Sequence, residues 1–262
     1  MPRKYTYGPF PSRRLGLSLG VDVLPIQKIC TFNCVYCEIG PTIQLVSPEY
    51  RFRAPPSHQF RHELKDIFKH FPHLDSITFG YNGEPTLNEN LLDFYNITTN
   101  VRAETKWNNE NPKITIFTNS STIYSQEIRE RLLNFDLVIA KLDTATNLDF
   151  YRTNRPHKNI DINLIIDSLI KLKKNMKKSK LAIQCLIYNS YRADFISNDN
   201  NVNIEKLALT IKKINPDIVQ IYSIARIPAQ FFVYSIDIER KKEIVKFFKE
   251  IVNNNQIKIE YY

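Results

Sequence analysis

Glycine is scarce in this chain and stops early. There are six, at positions 8, 16, 20, 40, 80 and 83, and none follows Gly83. Glycine permits positive φ and lets backbone approach a ligand closely, so this confinement fits a cofactor site built near the start of the chain. Asparagine can fill left-handed turns elsewhere, and composition alone explains the bias equally well. Cysteine is also rare, at four residues. No apolar run approaches the roughly 18 residues of a membrane span. Met1-Pro2-Arg3-Lys4-Tyr5 has no apolar signal region. Both absences predict a cytoplasmic protein with no membrane partner, whose thiols stay reduced and serve metals rather than disulfides. No phosphate loop of the GxxxxGK type is present. His58-Gln59-Phe60-Arg61-His62 lacks the glutamate of a zinc-protease helix, so both histidines read as exposed helix residues. No repeat, low-complexity segment or linker divides the chain, and 262 residues suit one large domain or a barrel.

Charge is present in excess of one sign. The chain carries 36 basic and 27 acidic residues, net +9. That favours an anionic partner, with nucleic acid the first candidate, and it equally fits a soluble protein from a Lys/Asn/Ile-rich proteome. Lys171, Lys173, Lys174, Lys177, Lys178 and Lys180 form a basic run at a helix end, where cations are stabilised by the helix dipole. The sharper alternative is contact with an RNA backbone.

The pattern of greatest weight is Cys30-Thr31-Phe32-Asn33-Cys34-Val35-Tyr36-Cys37, which puts three of the four cysteines at CxxxCxxC spacing. Clustered thiolates bind soft metal centres. A 4Fe-4S cube takes one cysteine per iron, so three cysteines leave one iron open for a substrate or cofactor. A zinc site would want four ligands, and no fourth cysteine or histidine lies at short spacing. Cys185, alone on an apolar strand, reads as core.

Periodicity predicts alternating strands and helices. Strands are expected at 15–24, 75–79, 113–117, 136–142, 181–187, 218–221 and 257–261. Helices are expected at 58–70, 88–103, 125–134, 161–176, 203–214 and 236–252. Segments 104–112 and 192–202 read as polar loops. Such alternation implies an α/β fold of parallel βα units with right-handed crossovers. Reactive groups then gather at the strand C-termini. Cys30 follows the first strand, Glu84 the second, Asn119 the third and Asp143 the fourth.

These residues resemble the radical S-adenosylmethionine (SAM) superfamily. The resemblance rests on the cysteine spacing with Tyr36 before the third cysteine. It rests also on Phe79-Gly80-Tyr81-Asn82-Gly83-Glu84-Pro85, where that family carries Gly-Gly-Glu-Pro; Asn82 replaces the first glycine. Gly8-Pro9-Phe10-Pro11-Ser12-Arg13-Arg14-Leu15-Gly16, Lys141-Leu142-Asp143, Asn154-Arg155-Pro156 and Gln220-Ile221-Tyr222-Ser223 look like the wyosine-type, tRNA-modifying iron–sulfur oxidoreductases. The resemblance implies a partial (β/α)6 TIM-like barrel, with residues 1–262 as one core domain and a short N-terminal extension. It implies a 4Fe-4S cluster held by Cys30, Cys34 and Cys37, and SAM cleaved by one electron to a 5′-deoxyadenosyl radical. Tyr36 would pack near the adenine, Glu84 would meet the SAM ammonium, and Gly83 would let the backbone approach. Lys141 would meet the SAM carboxylate and Asp143 the ribose, unless the two form only a surface salt bridge. Asn119, with Thr118 and Gln184, would contact ribose or substrate. An electron donor of flavodoxin or ferredoxin type and a tRNA or other anionic substrate are the implied partners. Wyosine-type synthases use further upstream cysteines for a second cluster, and none precedes Cys30; that activity is therefore not expected. Alternative readings are an activase that installs a radical on a partner protein and a metal-stabilised RNA-binding module.

Overall fold

The computed structural model describes residues 3–24 and 27–262. Met1 and Pro2, at the start of the expected N-terminal extension, lie outside the described residues. The chain opens with a hairpin, β1 (Thr6–Ser12) and β2 (Gly16–Val21), followed by two short strands, β3 (Ile29–Cys30) and β4 (Gln44–Leu45). Then come α1 (His58–His70), β5 (Ser76–Phe79), a 3-10 turn at Pro85–Leu87, α2 (Leu91–Glu104), β6 (Lys113–Thr118) and α3 (Gln126–Leu132). The second half holds β7 (Leu137–Lys141), α4 (Asn147–Thr153), α5 (Ile162–Asn175), β8 (Lys180–Leu186) and β9 (Tyr188–Ser190). It ends with α6 (Asn201–Ile214), β10 (Ile218–Tyr222), β11 (Val233–Ser235), α7 (Ile238–Val252) and β12 (Lys258–Tyr261).

Eight strands form one sheet in the order β1-β2-β5-β6-β7-β8-β10-β12. Only β1 runs antiparallel; the other seven are parallel. Strand order follows chain order, so every crossover steps the same way. Right-handed crossovers then put all the helices on one face. That face buries Ile77, Ile114, Ile116, Val138, Leu181, Ile183 and Val219 against helix residues such as Leu64, Phe94, Leu169 and Leu207. The opposite face curls inward. Leu15, from the β1–β2 turn, packs with Leu137, Ile139, Ala182 and Ile218, which lie on strands far across the sheet. Arg14 stacks its guanidinium 4.6 Å from the Tyr222 ring and 5.9 Å from the Tyr262 ring. The two sheet edges thus approach across a seam without pairing, giving an open, partial barrel.

Most expected elements are present, with ends shifted by a few residues. Helix α5 shows why: Asp161 caps it by accepting from the Asn163 and Leu164 amides, and Ile162, Ile165, Leu169 and Leu172 line its buried side. Strand β1 was not expected. Its sequence, Thr6-Tyr7-Gly8-Pro9-Phe10-Pro11-Ser12, holds two prolines, which a central strand rejects and an edge strand tolerates. The register shift between Tyr7 and Phe10 absorbs Gly8-Pro9. Tyr7 then crosses the inner face over Gly20, where an added Cβ would lie 2.0 Å from Tyr7 Cζ. Helix α4 was also missed, because its buried side is Asp149, Phe150 and Thr153, with one apolar residue and so no apolar period.

The basic run ends α5 and begins β8. Helix C-termini and strand N-termini lie at the barrel end opposite the cysteines. Lys173 is engaged by Asp217 at 2.6 Å, and Lys171, Lys174, Lys177 and Lys178 are exposed. The helix-end reading therefore fits this run, and contact with a substrate at the cysteine rim does not.

Candidate functional site

The chain leaves β2 at Val21 and does not enter α1 until His58, and this long excursion carries all three clustered cysteines. It is pinned from four directions. Gly83 bridges Ile29, and the Glu84 amide donates to Ile29 O at 3.1 Å. Gly83 adopts φ +131, and a Cβ there would lie 1.8 Å from Ile29 O; glycine is required for this approach. From the end of β6, Asn119 donates to Thr31 Oγ1 at 2.8 Å, and Ser121 shares a 2.7 Å hydrogen bond with Thr31. The C-terminal end of α4 receives the Asn33 and Val35 amides on Asn154 O and Thr153 O, both at 3.0 Å. The Gln230 amide, approaching β11, donates to Val35 O at 2.9 Å.

Cys30 is buried, and Cys34 and Cys37 are half-buried. Each thiol has a polar neighbour. Asn119 Nδ2 lies 3.3 Å from Cys30 Sγ, Asn154 Nδ2 3.5 Å from Cys34 Sγ and Lys28 Nζ 3.1 Å from Cys37 Sγ. Lys28 is itself buried and also donates to Gly40 O at 2.5 Å. Burial, with the neighbouring Cys34, pushes the Cys30 thiol up to about 12. Burial, with Cys37 and Asp143, pushes Cys34 to about 11. As thiolates these groups would repel one another in a poorly solvated pocket. A positively charged metal centre removes that penalty as it displaces the protons, so the donor set fits such a centre. Among the described residues, no three His, Cys, Asp or Glu side chains converge on one point as ligands of a single ion. A cube instead gives each cysteine its own iron.

Glu84 is 1% exposed. Its Oε1 accepts from the Thr86 amide (3.2 Å), Thr86 Oγ1 (2.6 Å) and Thr118 Oγ1 (2.9 Å). Among the described residues, Oε2 accepts only the Asn119 amide, at 2.6 Å. The carboxylate therefore braces the ends of β5 and β6 and keeps acceptor capacity on one oxygen. Burial raises its pKa, and the Thr86, Asn119 and Thr118 donors oppose the rise.

Lys141 and Asp143 form a contact of 3.2 Å with side chains only 19% and 1% exposed. The surface salt bridge considered from sequence is thus corrected to a buried pair inside the rim. Asp143 also accepts from the Leu186 amide at 2.8 Å, from the Tyr36 hydroxyl and from Asn154 Nδ2 at 3.0 Å. Lys141 donates to Tyr222 Oη at 2.7 Å and lies 4.9 Å from the Tyr36 ring centre. The Tyr222 hydroxyl donates to Gln184, which reaches Gln220 at 3.1 Å. Burial would lower the Lys141 pKa, but Asp143 and Tyr222 raise it overall, so it remains an ammonium. Burial and Asp143 raise Tyr36, which stays protonated.

Cys30, Cys34, Cys37, Tyr36, Gly83, Glu84, Asn119, Lys141 and Asp143 thus lie on one rim, with Thr118 bound to Glu84 and Gln184 to Tyr222. Sequence reasoning gave no role to Lys28, whose only signal was a cation two positions before the first cysteine. It also left Asn154 and Tyr222 without roles. Cys185 lies in the core, turned toward the helices. His58 and His62 are exposed. The 192–202 segment is not merely a surface loop: Asn198 is fully buried and donates to Asp143 O at 3.0 Å and Leu186 O at 2.7 Å.

Asp22 lies one residue past the end of β2, against the turn that carries Asn82. Its carboxylate accepts from the backbone of Leu24 and Asn82, yet burial raises it to about 6. A raised carboxyl pKa means the folded state holds the proton more tightly than the unfolded chain. The resulting stability is complete below about 3.8 and lost as pH rises through about 6. Asp22→Asn is expected to raise stability at pH 7 by on the order of 1–2 kcal/mol and to give no gain at pH 4. Denaturant titrations at the two pH values check this; an equal gain at both would remove Asp22 as the cause.

Comparison with known proteins follows the same line. The radical SAM superfamily pattern matches residues 24–193. A UPF0026 protein of Methanocaldococcus jannaschii is 32% identical over 97% of this chain and 74% of its own length. Streptococcus suis SuiB bound to S-adenosylmethionine superposes with a TM-score of 0.59 at 14% identity, over 92% of this chain and 51% of that one. TYW1 with a lysine–pyruvate adduct bound superposes with a TM-score of 0.58 at 14% identity, over 89% of this chain and 73% of that one. The chain therefore spans about half the length of SuiB, and these two structures share its fold.

Proposed function

The chain belongs to the radical SAM superfamily and to the UPF0026 proteins, and from that premise we propose that Cys30, Cys34 and Cys37 hold a 4Fe-4S cluster beside a SAM site formed by Tyr36, Gly83, Glu84, Asn119, Lys141 and Asp143. The protein is a radical SAM enzyme, and members of the superfamily use such a cluster with SAM. The observation that carries the residue assignment is the meeting of three thiols, one buried carboxylate and one buried lysine–aspartate pair at the C-terminal ends of consecutive strands.

A cluster held by Cys30, Cys34 and Cys37 would supply the one electron that cleaves SAM reductively to methionine and a 5′-deoxyadenosyl radical. The chain's own groups bind and orient. Glu84 Oε2 is placed to accept a charge-assisted bond from the SAM ammonium, and Gly83 keeps the backbone close. Lys141 offers its ammonium to the SAM carboxylate. Asp143 spends its acceptors on Lys141, Tyr36, Leu186 and Asn154, so we assign it the task of holding Tyr36 and Lys141 in position. Tyr36 presents an aromatic ring for the adenine. Asn119, Asn154 and Lys28 donate toward the sulfurs, as supporting groups around a metal centre do.

An external one-electron donor of flavodoxin or ferredoxin type and an anionic substrate, in keeping with the net charge of +9, complete the reading. The wyosine-type resemblance extends no further here than shared core chemistry. The test is anaerobic reconstitution with iron and sulfide, reduction, addition of SAM and assay for 5′-deoxyadenosine. Cluster absorbance with 5′-deoxyadenosine formation is expected. A colourless, zinc-loaded protein that leaves SAM intact would overturn the proposal.

A further inference from the structure

The seam between the β1–β2 turn and β12 is not a bare gap. Arg13 and Arg14 border it on one side, and Lys249, Lys258, Tyr261 and Tyr262 on the other, around a recess of about 500 Å³. A second recess of about 470 Å³ adjoins it, sharing Val245, Lys249 and Tyr261 and adding Lys242 and Lys246. Lys242, Lys246 and Lys249 are spaced i, i+4, i+7, which aligns them along one side of α7.

The charges along this track do not cancel. Six cations face two carboxylates, Glu250 and Glu260. Lys258 pairs with Glu260 at 2.8 Å, and Lys242 with Glu239 at 3.7 Å. Among the described residues, Arg13, Arg14, Lys246 and Lys249 make no ion pair. Arg14 adds a second observation. Its Nη1, like four other buried side-chain atoms of the described residues, has no hydrogen-bond partner, and unlike the others it borders the recess, where a water or an anion can complete it. Its guanidinium rests on Tyr222, which receives the Lys141 hydrogen bond. The track is therefore continuous with the inner end of the site.

We propose that this seam binds the phosphate backbone of a single-stranded nucleic acid. A solvated lysine stripe alone would be ordinary. A concave track with unpaired cations, an orphaned guanidinium nitrogen and tyrosines along it matches what an unpaired strand requires, since phosphates meet the cations and bases stack on the exposed rings. Tyr261 is 39% exposed and available for such stacking. The proposal concerns the substrate side of the function above, and its test does not depend on SAM cleavage.

The probe is a labelled single-stranded RNA of about 12 nucleotides, titrated by anisotropy against the cluster-reconstituted protein from about 50 to 200 mM salt. Three or four phosphate contacts predict a slope of log affinity on log salt of about −2 to −3. Lys246→Glu/Lys249→Glu is expected to weaken binding at least about tenfold and flatten the slope by about one or more, while leaving SAM cleavage and the melting temperature unchanged. Lys174→Glu/Lys177→Glu, at the end of α5 and away from the seam, makes the same charge change and is expected to bind like the unmodified protein. Absence of binding, or equal losses in both double variants, would overturn the proposal. So would displacement of the RNA by an equal concentration of inorganic pyrophosphate, which would mark a small-phosphate site.

Discussion

Cys34→Ala is expected to lose bound iron and sulfide and to lower 5′-deoxyadenosine formation to background, a fall well beyond about 100-fold. Loss of a group that merely supports a metal ligand costs about 10–100-fold, so the size of the effect separates ligand from support. Asn154→Ala removes such a support, the 3.5 Å contact to Cys34 Sγ, and should fall within that smaller range. Cys185→Ala removes a thiol buried among core residues and should leave iron content unchanged. Before reconstitution, Cys34→Ala should lose no more than about 1–2 kcal/mol, because it removes a single sulfur atom packed at the edge of two apolar clusters. An intact cluster in Cys34→Ala would remove it from the ligand set. Equal losses in Cys34→Ala and Cys185→Ala would point to general damage.

Asp143→Ala is expected to destabilise the protein by about 3–5 kcal/mol, the usual cost of removing one partner of a buried ion pair. Lys141 would keep its charge behind Tyr36 and Tyr222, with no carboxylate at 3.2 Å. The Leu186 amide and the Tyr36 hydroxyl would lose their acceptor as well. For a chain of this size that is a drop of roughly 10 °C in melting temperature. Lys141→Met/Asp143→Ala removes both charges and should recover part of the loss, since replacing a whole buried pair by apolar groups is often near neutral. If single and double variants melt alike, the stranded ammonium is not the cause.

Much of this site was legible in the sequence. The CxxxCxxC spacing and the Gly83-Glu84-Pro85 turn are local patterns, and local patterns survive without knowledge of the fold. The alternation of Lys141 and Asp143 put both on one side of a strand, and they are found paired there. Helix α5 was legible for the same reason, since its cap and its apolar spacing lie within one stretch of chain. Other features needed the fold. Asn154 lies 120 positions from Cys34, and Tyr222 lies 81 positions from Lys141. No periodicity links residues so distant. The conspicuous basic run at 171–180 takes the helix-end role that the sequence favours. The quieter lysines of α7 acquire meaning only where Arg13 and Arg14 face them across the seam.

The sequence by itself determined the CxxxCxxC spacing, the α/β alternation and the order of polar strand ends, because each depends on residue type and short spacing. Only the tertiary structure decided which groups share a hydrogen bond, that the lysine–aspartate pair is buried and that the sheet stays open at a basic seam. Those outcomes depend on how far the parallel strands curl. Curl is set by packing on both faces of the sheet: helices against one side, and Leu15, Tyr7 and Arg14 folded into the other.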